Sequence, residues 1–135
     1  MSAPFSEEAV ELLESVGMQR YKIPSGEVTN LPMIERVART KKPVVLSSGM
    51  SFLQEIDEAV AVVKHWHDDI TILQCTSAYP CDYRRVGLNV ISELQSRYLL
   101  PVGLSDHTPT NYASFAAAAL GATYIEKHVT FSRKM

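Results

Sequence analysis

The sequence has 135 residues, of which 46% are hydrophobic and 21% are charged, as is usual for one globular domain. The 13 basic and 15 acidic residues give a formal net charge of −2, which argues against a nucleic-acid-binding or membrane-surface protein. No apolar run approaches the roughly 18 residues that a membrane-spanning helix needs, and residues 1–6 lack the charged and apolar segments of a signal peptide.

Alternating helix and strand patterns run along the whole chain. Five helices are predicted, with Ser6, Asn30 and Ser51 as the N-caps of the first three, over residues 6–16, 30–39, 51–64, 86–98 and 111–120. Short apolar runs predict five strands, over residues 20–23, 43–46, 70–75, 101–104 and 123–127. These repeated units predict a parallel sheet whose strands, including the last, are buried on both faces.

Each predicted strand ends in polar side chains that could take part in chemistry. They are Lys22 and Ser25, Ser47 and Ser48, Ser77 and Tyr79, Ser105 and His107, and Glu126 and His128. In a (β/α)₈ barrel all of these ends converge on one face, where the active site lies. In an open doubly wound sheet only the ends near the switch point would share a pocket. The pattern therefore favours part of a barrel, with the open sheet as the alternative.

Two histidines follow the last two predicted strands, each near a carboxylate. Ser105 and His107 are two positions apart, as are Glu126 and His128, so each pair should point to one side. If the strands are neighbours, both imidazoles could bind one divalent ion, with Asp106 or Glu126 orienting a ligand. The alternative is a hydrogen-bonded histidine at each strand end, but two such histidines together favour a metal.

The remaining histidines and the two cysteines are not predicted to form a site. His65 and His67 lie at a helix terminus far from the strand ends, where helix-end electrostatics explains them better than a metal. Cys75 and Cys81 are too few for a disulfide framework. We expect a cytoplasmic protein with free thiols, with Cys75 in the core and Cys81 in a loop where it could be exposed.

One lysine and several serines at the strand ends could bind an anion. Lys22 lies inside an apolar strand and needs a partner if it points inward. Serine hydroxyls and the backbone N–H groups of Ser-Gly turns would complete a phosphate site, although serine also fills such loops for turn reasons alone. The chain has no G-x-S-x-G or Walker motif, so nucleophilic hydrolysis has no support.

Five motifs occur in an order and spacing that resemble the N-acetylneuraminate (sialic acid) synthase family, which includes pseudaminate, legionaminate and spore-coat polysaccharide synthases. They are YKIPSGE (21–27), LSSGM (46–50), QCTSAYP (74–80), SDHT (105–108) and IEKHVT (125–130). The resemblance implies a (β/α)₈ barrel that condenses phosphoenolpyruvate with an N-acetylated amino sugar such as N-acetylmannosamine. The products would be a nine-carbon 2-keto acid and inorganic phosphate, released from a tetrahedral intermediate after water adds.

The resemblance also implies roles for individual residues. His107 and His128 would bind Mn²⁺ or Mg²⁺, which polarises the sugar aldehyde, and with Glu126 they would form the catalytic set. The phosphate and carboxylate of phosphoenolpyruvate would be bound by Lys22, Ser25, Ser47, Ser77 and Ser105. Tyr79 would lie beside the sugar.

The chain departs from the family pattern at both ends. The family's first strands, its acidic and histidine-bearing tail and its small C-terminal antifreeze-like domain have no counterpart, and residues 131–135 stand in place of the tail. We therefore expect residues 1–135 to form a single partial barrel domain, about strands 4 to 8, truncated at both ends. The full-length family member would be a homodimer, and the isolated chain should bind metal weakly and show little synthase activity.

Two alternatives to this function stay open. One is another phosphoenolpyruvate-condensing barrel that makes a different keto sugar acid. The other is a non-catalytic remnant that binds a ligand or completes the barrel of a partner protein.

Overall fold

Five parallel strands, each followed or preceded by a helix, make up the computed structural model, which describes residues 1–132. The strands are β1 (Tyr21–Ile23), β2 (Val44–Ser47), β3 (Ile70–Cys75), β4 (Val102–Asp106) and β5 (Ile125–Lys127). The helices are α1 (Glu7–Ser15), α2 (Leu31–Ala38), α3 (Leu53–Lys64), α4 (Leu88–Tyr98) and α5 (Tyr112–Ala119), with 3₁₀ turns at Ser25–Glu27 and Tyr83–Arg85.

The strand order is β1-β2-β3-β4-β5, so every strand pairs with its neighbour in the sequence. A doubly wound sheet would reverse direction at a switch point, and this order has no reversal. In a flat sheet, four gaps of about 4.8 Å would separate β1 from β5 by about 19 Å. Instead, a side chain of β1 contacts a side chain of β5 at 2.7 Å. The sheet is therefore curled, and the predicted partial barrel is confirmed.

Successive side chains along each strand point to opposite faces of the sheet, so the sheet has an apolar outer face and a polar inner face. Side chains on the outer face pack against the helices and form the buried core, which includes Ile23, Leu46, Ile72 and Leu104. Their sequence neighbours point to the concave face. At the carboxyl ends of the strands the concave face carries Lys22, Ser47, Cys75, Ser105 and Glu126. The outer face thus stabilises the fold, and the inner face is left for function.

Several predicted boundaries are corrected by the structure. The strand β3 has the predicted bounds, but β4 continues two residues further, to Asp106. Ser51 is not the N-cap of α3, because that position is Phe52, whose N–H donates to the Glu55 side chain. The predictions of Ser6 and Asn30 as N-caps are confirmed by their side-chain hydrogen bonds.

Two predictions of burial are wrong. The last strand, β5, is not buried on both faces: Ile125 is exposed, and Glu126 and Lys127 are partly so. Within the described residues β5 pairs with β4 alone. Cys81 is buried rather than exposed, because its loop folds against β4 and its N–H donates to the carbonyl of His107. Cys75 is in the buried part of the protein, as predicted, and both thiols are free.

None of the helices within the described range is long and apolar enough to cross a membrane. The part of the divergent C-terminal segment that follows Ser132 lies outside the described residues.

Candidate active site

The centre of the site is an ion pair between the first and last strands. The Nζ atom of Lys22 lies 2.7 Å from both carboxylate oxygens of Glu126 and 2.6 Å from Ser47 Oγ. Ser105 Oγ donates to Glu126 at 2.7 Å. Lys22 is inside the barrel because alternation turns it away from the outer core. The partner that a buried lysine requires is therefore a carboxylate four strands away in the sheet order.

Both charges of this pair are partly removed from water. Burial lowers the pKa of Lys22, although the hydrogen bond and the charge of Glu126 oppose this change. Burial would by itself raise the pKa of Glu126, but hydrogen bonds from Lys22 and Ser105 outweigh it, so the pKa lies below its usual value. Glu126 is consequently ionised at neutral pH and can accept a proton rather than supply one.

A ring of small polar groups lies beside the ion pair. Ser25 Oγ accepts a hydrogen bond from the N–H of Gly49 at 3.0 Å and lies 3.5 Å from Cys75 Sγ. Ser77 Oγ is 3.9 Å from the same sulfur. A Cβ atom at Gly49 would come within 2.6 Å of both Cys75 Sγ and Ser77 Oγ. Glycine at position 49 thus allows the loop after β2 to approach the serines.

The two imidazoles predicted to bind metal are neighbours. The ring centroids of His107 and His128 are 5.2 Å apart, and the Tyr79 ring lies 4.2 Å from His107 and 5.6 Å from His128. His107 follows β4 and His128 follows β5, whose register places Ser105 beside Glu126. The expected convergence of the two histidines is therefore observed, and their role stays a prediction.

A backbone carbonyl fixes the orientation of His107. Its Nδ1 atom lies 3.0 Å from the carbonyl oxygen of Thr76. Because a carbonyl oxygen can only accept, Nδ1 carries the proton, and the lone pair of the neutral ring is on Nε2. Nε2 lies on the side of the cavity, 3.5 Å from Ser105 Oγ. A hydrogen bond of this kind to the second ring nitrogen is typical of metal-binding histidines.

The donors fit a metal ion only in part. Within residues 1–132 no group of three or more histidine, cysteine or carboxylate side chains could hold a metal. His107 and His128 offer two imidazoles, a ligand type that suits Zn²⁺, Fe²⁺ and Ni²⁺, whereas Mn²⁺ and Mg²⁺ are suited by oxygen ligands. An ion bound there would need its remaining ligands from water, substrate or other protein segments. The donor set therefore fits an open site, in which substrate can reach the ion.

Asp106 or Glu126 was predicted to orient a metal-binding histidine. The structure shows that Asp106 does not orient either histidine. Its carboxylate is on the outer face and accepts hydrogen bonds from the Thr108 N–H, from Ser114 and from Lys127. The alternation of β4 explains this, because Asp106 lies between two inward-facing residues. His65 and His67 lie just after α3, at the opposite end of the strands from this site.

The predicted site residues line one cavity of about 240 Å³. It contains all of Lys22, Ser25, Ser47, Ser77, Tyr79, Ser105, His107, Glu126 and His128. A larger open cleft of about 1100 Å³ reaches the same two histidines from the side of α5. Two contributors to the site were not predicted from the sequence. The Thr76 carbonyl belongs to the backbone, so no side chain indicates it. Gly49 follows Ser47 and Ser48 directly, and this position could have indicated that the loop packs closely against other side chains.

A family model described as the NeuB family matches residues 1–135. The chain belongs to the NeuB family. This NeuB-family chain is 44% identical over 138 residues to N,N'-diacetyllegionaminic acid synthase of Campylobacter jejuni subsp. jejuni serotype O:2, covering 100% of this chain and 41% of that protein. It is 40% identical over 135 residues to pseudaminic acid synthase of Helicobacter pylori, covering 99% of this chain and 40% of the relative.

The NeuB-family fold is also found in a solved structure of similar shape. The N-acetylneuraminic acid (sialic acid) synthetase of Leptospira borgpetersenii serovar Hardjo-bovis, crystallised with citrate, superposes with a TM-score of 0.94 at 33% identity. The match covers 98% of this chain and 46% of that chain. The chain thus spans less than half the length of each of these three relatives.

Proposed function

We propose that this chain forms the substrate-binding face of a synthase that condenses phosphoenolpyruvate with an N-acetylated amino sugar. The products would be a nine-carbon 2-keto sugar acid and inorganic phosphate. The observation that supports this most is the convergence of Lys22, the strand-end serines and two imidazoles on one cavity at the carboxyl ends of the strands. That is the face on which barrel enzymes carry their active sites.

The cation and the hydroxyls suit the anionic substrate. Phosphoenolpyruvate carries a phosphate and a carboxylate, and Lys22 with Ser25, Ser47, Ser77 and Ser105 can provide one charge and four hydroxyl donors. The same donors already bind a carboxylate, because Lys22 and Ser105 both contact Glu126. An incoming anion must therefore share or take over the donors that Glu126 uses.

The imidazoles and Tyr79 suit the sugar. We assign His107 and His128 as ligands of Mn²⁺ or Mg²⁺; a divalent ion supplies Lewis-acid polarisation of an aldehyde oxygen. The Thr76 carbonyl keeps His107 in the tautomer that a ligand needs. Tyr79, whose side chain is exposed, would contact the sugar next to the two rings.

Glu126 is the one carboxylate among the described residues that line this cavity. Hydrogen bonds from Lys22 and Ser105 keep it ionised, which is the form that can accept a proton. We therefore assign it the role of a base that takes a proton from the water that attacks C2 of the phosphoenolpyruvate unit. The C–O bond to phosphate then breaks while the proton of the new C2 hydroxyl passes to the departing phosphate, which leaves the 2-keto group and inorganic phosphate.

The proposal extends to the whole enzyme only together with further barrel segments. The relatives are named for different products, legionaminic acid and pseudaminic acid, so the acceptor is proposed as a class. A homodimeric full-length enzyme and a cytoplasmic location belong to the same proposal, the latter supported by the free thiols of Cys75 and Cys81. The second candidate, a non-catalytic subunit that completes a partner, is favoured by the unpaired outer edge of β5 within the described residues.

Titration calorimetry with phosphoenolpyruvate tests the anion site. The wild-type chain should bind it, and Lys22→Met should reduce the affinity by at least about tenfold, equivalent to about 1.4 kcal/mol. The matched control is Lys64→Met, at an exposed lysine that ends α3, and this variant should bind as wild type. Equal affinities for wild type and Lys22→Met, or no binding to wild type at millimolar concentrations, would contradict the proposal.

Metal analysis with Mn²⁺ titration tests the imidazole pair. His107→Ala and His128→Ala should each abolish the binding seen with wild type, and His65→Ala should leave it unchanged. Retention of Mn²⁺ in both active-site variants would refute the assignment of the metal ligands.

A further inference from the structure

The strands β4 and β5 are held together on both faces of the sheet. Their register pairs Ser105 with Glu126 and Asp106 with Lys127. The first pair faces the cavity and is joined by a 2.7 Å hydrogen bond. The second pair faces outward and is joined by the Lys127–Asp106 ion pair at 3.0 Å. The two imidazoles lie one residue beyond this outer pair.

The outer pair belongs to a buried network that involves three segments. The Asp106 side chain is fully buried, and its oxygens also accept from Ser114 Oγ at 2.6 Å and from the Thr108 N–H at 2.8 Å. Lys127 Nζ donates a second hydrogen bond, at 2.8 Å, to the carbonyl of Thr108. This lysine therefore connects β5 to the end of β4, and Asp106 connects β4 to α5.

Apart from the ion pair of Glu126 with Lys22 on the cavity side, few other contacts fix the position of β5. It has three residues, it is partly exposed, and within residues 1–132 its ladder partner is β4 alone. His128 follows directly after the strand and is itself exposed. By contrast, His107 is fixed by the Thr76 carbonyl and by the buried strand β4. The Lys22–Glu126 pair holds the middle of β5 to β1, so the position of His128 relative to His107 depends mainly on how the end of β5 is attached to β4.

We propose that Asp106 and Lys127 are positioning residues that set the separation of His107 and His128, and thereby the ability of the pair to bind one divalent ion. The metal part of this inference rests on the proposed function, whereas the positioning part does not. Neither residue lines the smaller cavity that contains Lys22, although both line the larger cleft that the two imidazoles border. They act by holding β4 and β5 together on the outer face of the sheet, one residue before each imidazole.

The test uses a double variant of the full 135-residue chain. Asp106→Asn combined with Lys127→Met removes both charges, so that no buried charge is left without a partner. With histidine rings labelled, NMR should show a cross-peak between His107 and His128 in the wild type, whose ring centroids are 5.2 Å apart. The double variant should lose this cross-peak, and its affinity for Co²⁺ alone, followed by visible absorption, should fall by about tenfold or more.

The matched control neutralises an ion pair elsewhere. Asp57→Asn with Arg97→Met removes the exposed pair between α3 and α4 and should change neither the cross-peak nor the Co²⁺ affinity. Lys127→Arg is the second test, because a guanidinium can donate to both Asp106 and the Thr108 carbonyl. It should keep the cross-peak and an affinity close to that of wild type, even if the double variant does not fold.

The possible results separate the positioning role of Asp106 and Lys127 from the assignment of His107 and His128 as metal ligands. A folded double variant with an unchanged cross-peak and unchanged Co²⁺ affinity overturns the positioning role, as does a folded Lys127→Arg variant that loses both. If wild type binds no Co²⁺, the metal assignment fails, and the cross-peak alone then decides whether Asp106 and Lys127 position the rings.

Discussion

The Nζ atom of Lys22 on β1 lies 2.7 Å from both oxygens of the Glu126 carboxylate on β5, although three strands stand between them in the sheet. The pair joins the two ends of the described sheet across the concave face. It also means that the cation expected to bind substrate already has an anionic partner. If Lys22 binds substrate as proposed, the incoming anion would share or take over the donors that Glu126 uses.

The substitution Glu126→Gln should raise the affinity for inorganic phosphate. The amide can still accept from Ser105 and Lys22, but it carries no charge that competes with the incoming anion. We expect roughly a tenfold gain, which corresponds to about 1.4 kcal/mol, measured by calorimetry at constant ionic strength. Glu58→Gln on the exposed face of α3 is the control. Weaker phosphate binding by Glu126→Gln would show that the carboxylate does not occupy the anion site.

The substitution Gly49→Ala should damage the site by crowding it. The new Cβ atom would lie 2.6 Å from Cys75 Sγ and from Ser77 Oγ, so these side chains must move. We expect a loss of about 1–3 kcal/mol in the free energy of unfolding and weaker binding of phosphoenolpyruvate. Gly26→Ala is the control, because a Cβ atom added at Gly26 would have no neighbour within 4 Å. Equal behaviour of the two variants would argue against a close approach at Gly49.

The contribution of Asp106 to stability should depend on pH. Burial alone would raise its pKa, but hydrogen bonds from Ser114, Thr108 and Lys127 outweigh burial and lower it. A lowered folded-state pKa gives stability that is present above the unfolded value of about 4 and is lost as the pH falls through the folded value. Asp106→Asn should therefore cost about 3 kcal/mol at pH 7, and the cost should shrink below about pH 4.

Denaturant unfolding of wild type and Asp106→Asn at several pH values measures this dependence. Asp68→Asn, an exposed residue near the start of β3, should show no such trend. A difference between wild type and Asp106→Asn that stays constant down to the acid limit would contradict the expected sign.

The substitution Leu99→Gly should stabilise the protein. Leu99 ends α4 with a φ of 54°, in the left-handed region that favours glycine, and its side chain is exposed. We expect a gain of about 1 kcal/mol in the free energy of unfolding, seen as a higher Tm. Leu120 is the matched control, since it is an exposed leucine that ends α5 with a φ of −85°. A gain for Leu120→Gly and none for Leu99→Gly would disprove the backbone argument.

Apolar runs and capping residues predicted many of the helices and strands, because strand formation and helix capping depend on neighbouring residues in the sequence. The run of apolar residues at 70–75 gave the bounds of β3, and the capping residues Ser6 and Asn30 were found from their own side-chain chemistry. The error at Ser51 has the same origin, since both Ser51 and Phe52 precede the helix and the Glu55 side chain decided between them. For Cys81, the loop composition gave no sign that the segment packs against β4.

The sequence by itself determined the order of strands and helices and which polar residues stand at the strand ends, because the period of the apolar residues and the turn-forming residues are local properties. Only the tertiary structure decided that Lys22 meets Glu126, that the imidazoles of His107 and His128 lie 5.2 Å apart, and that Asp106 serves the outer face. These contacts depend on the curvature of the sheet, which arises from the summed twist of all five strands and their packing against the helices. No short segment of the chain contains that information.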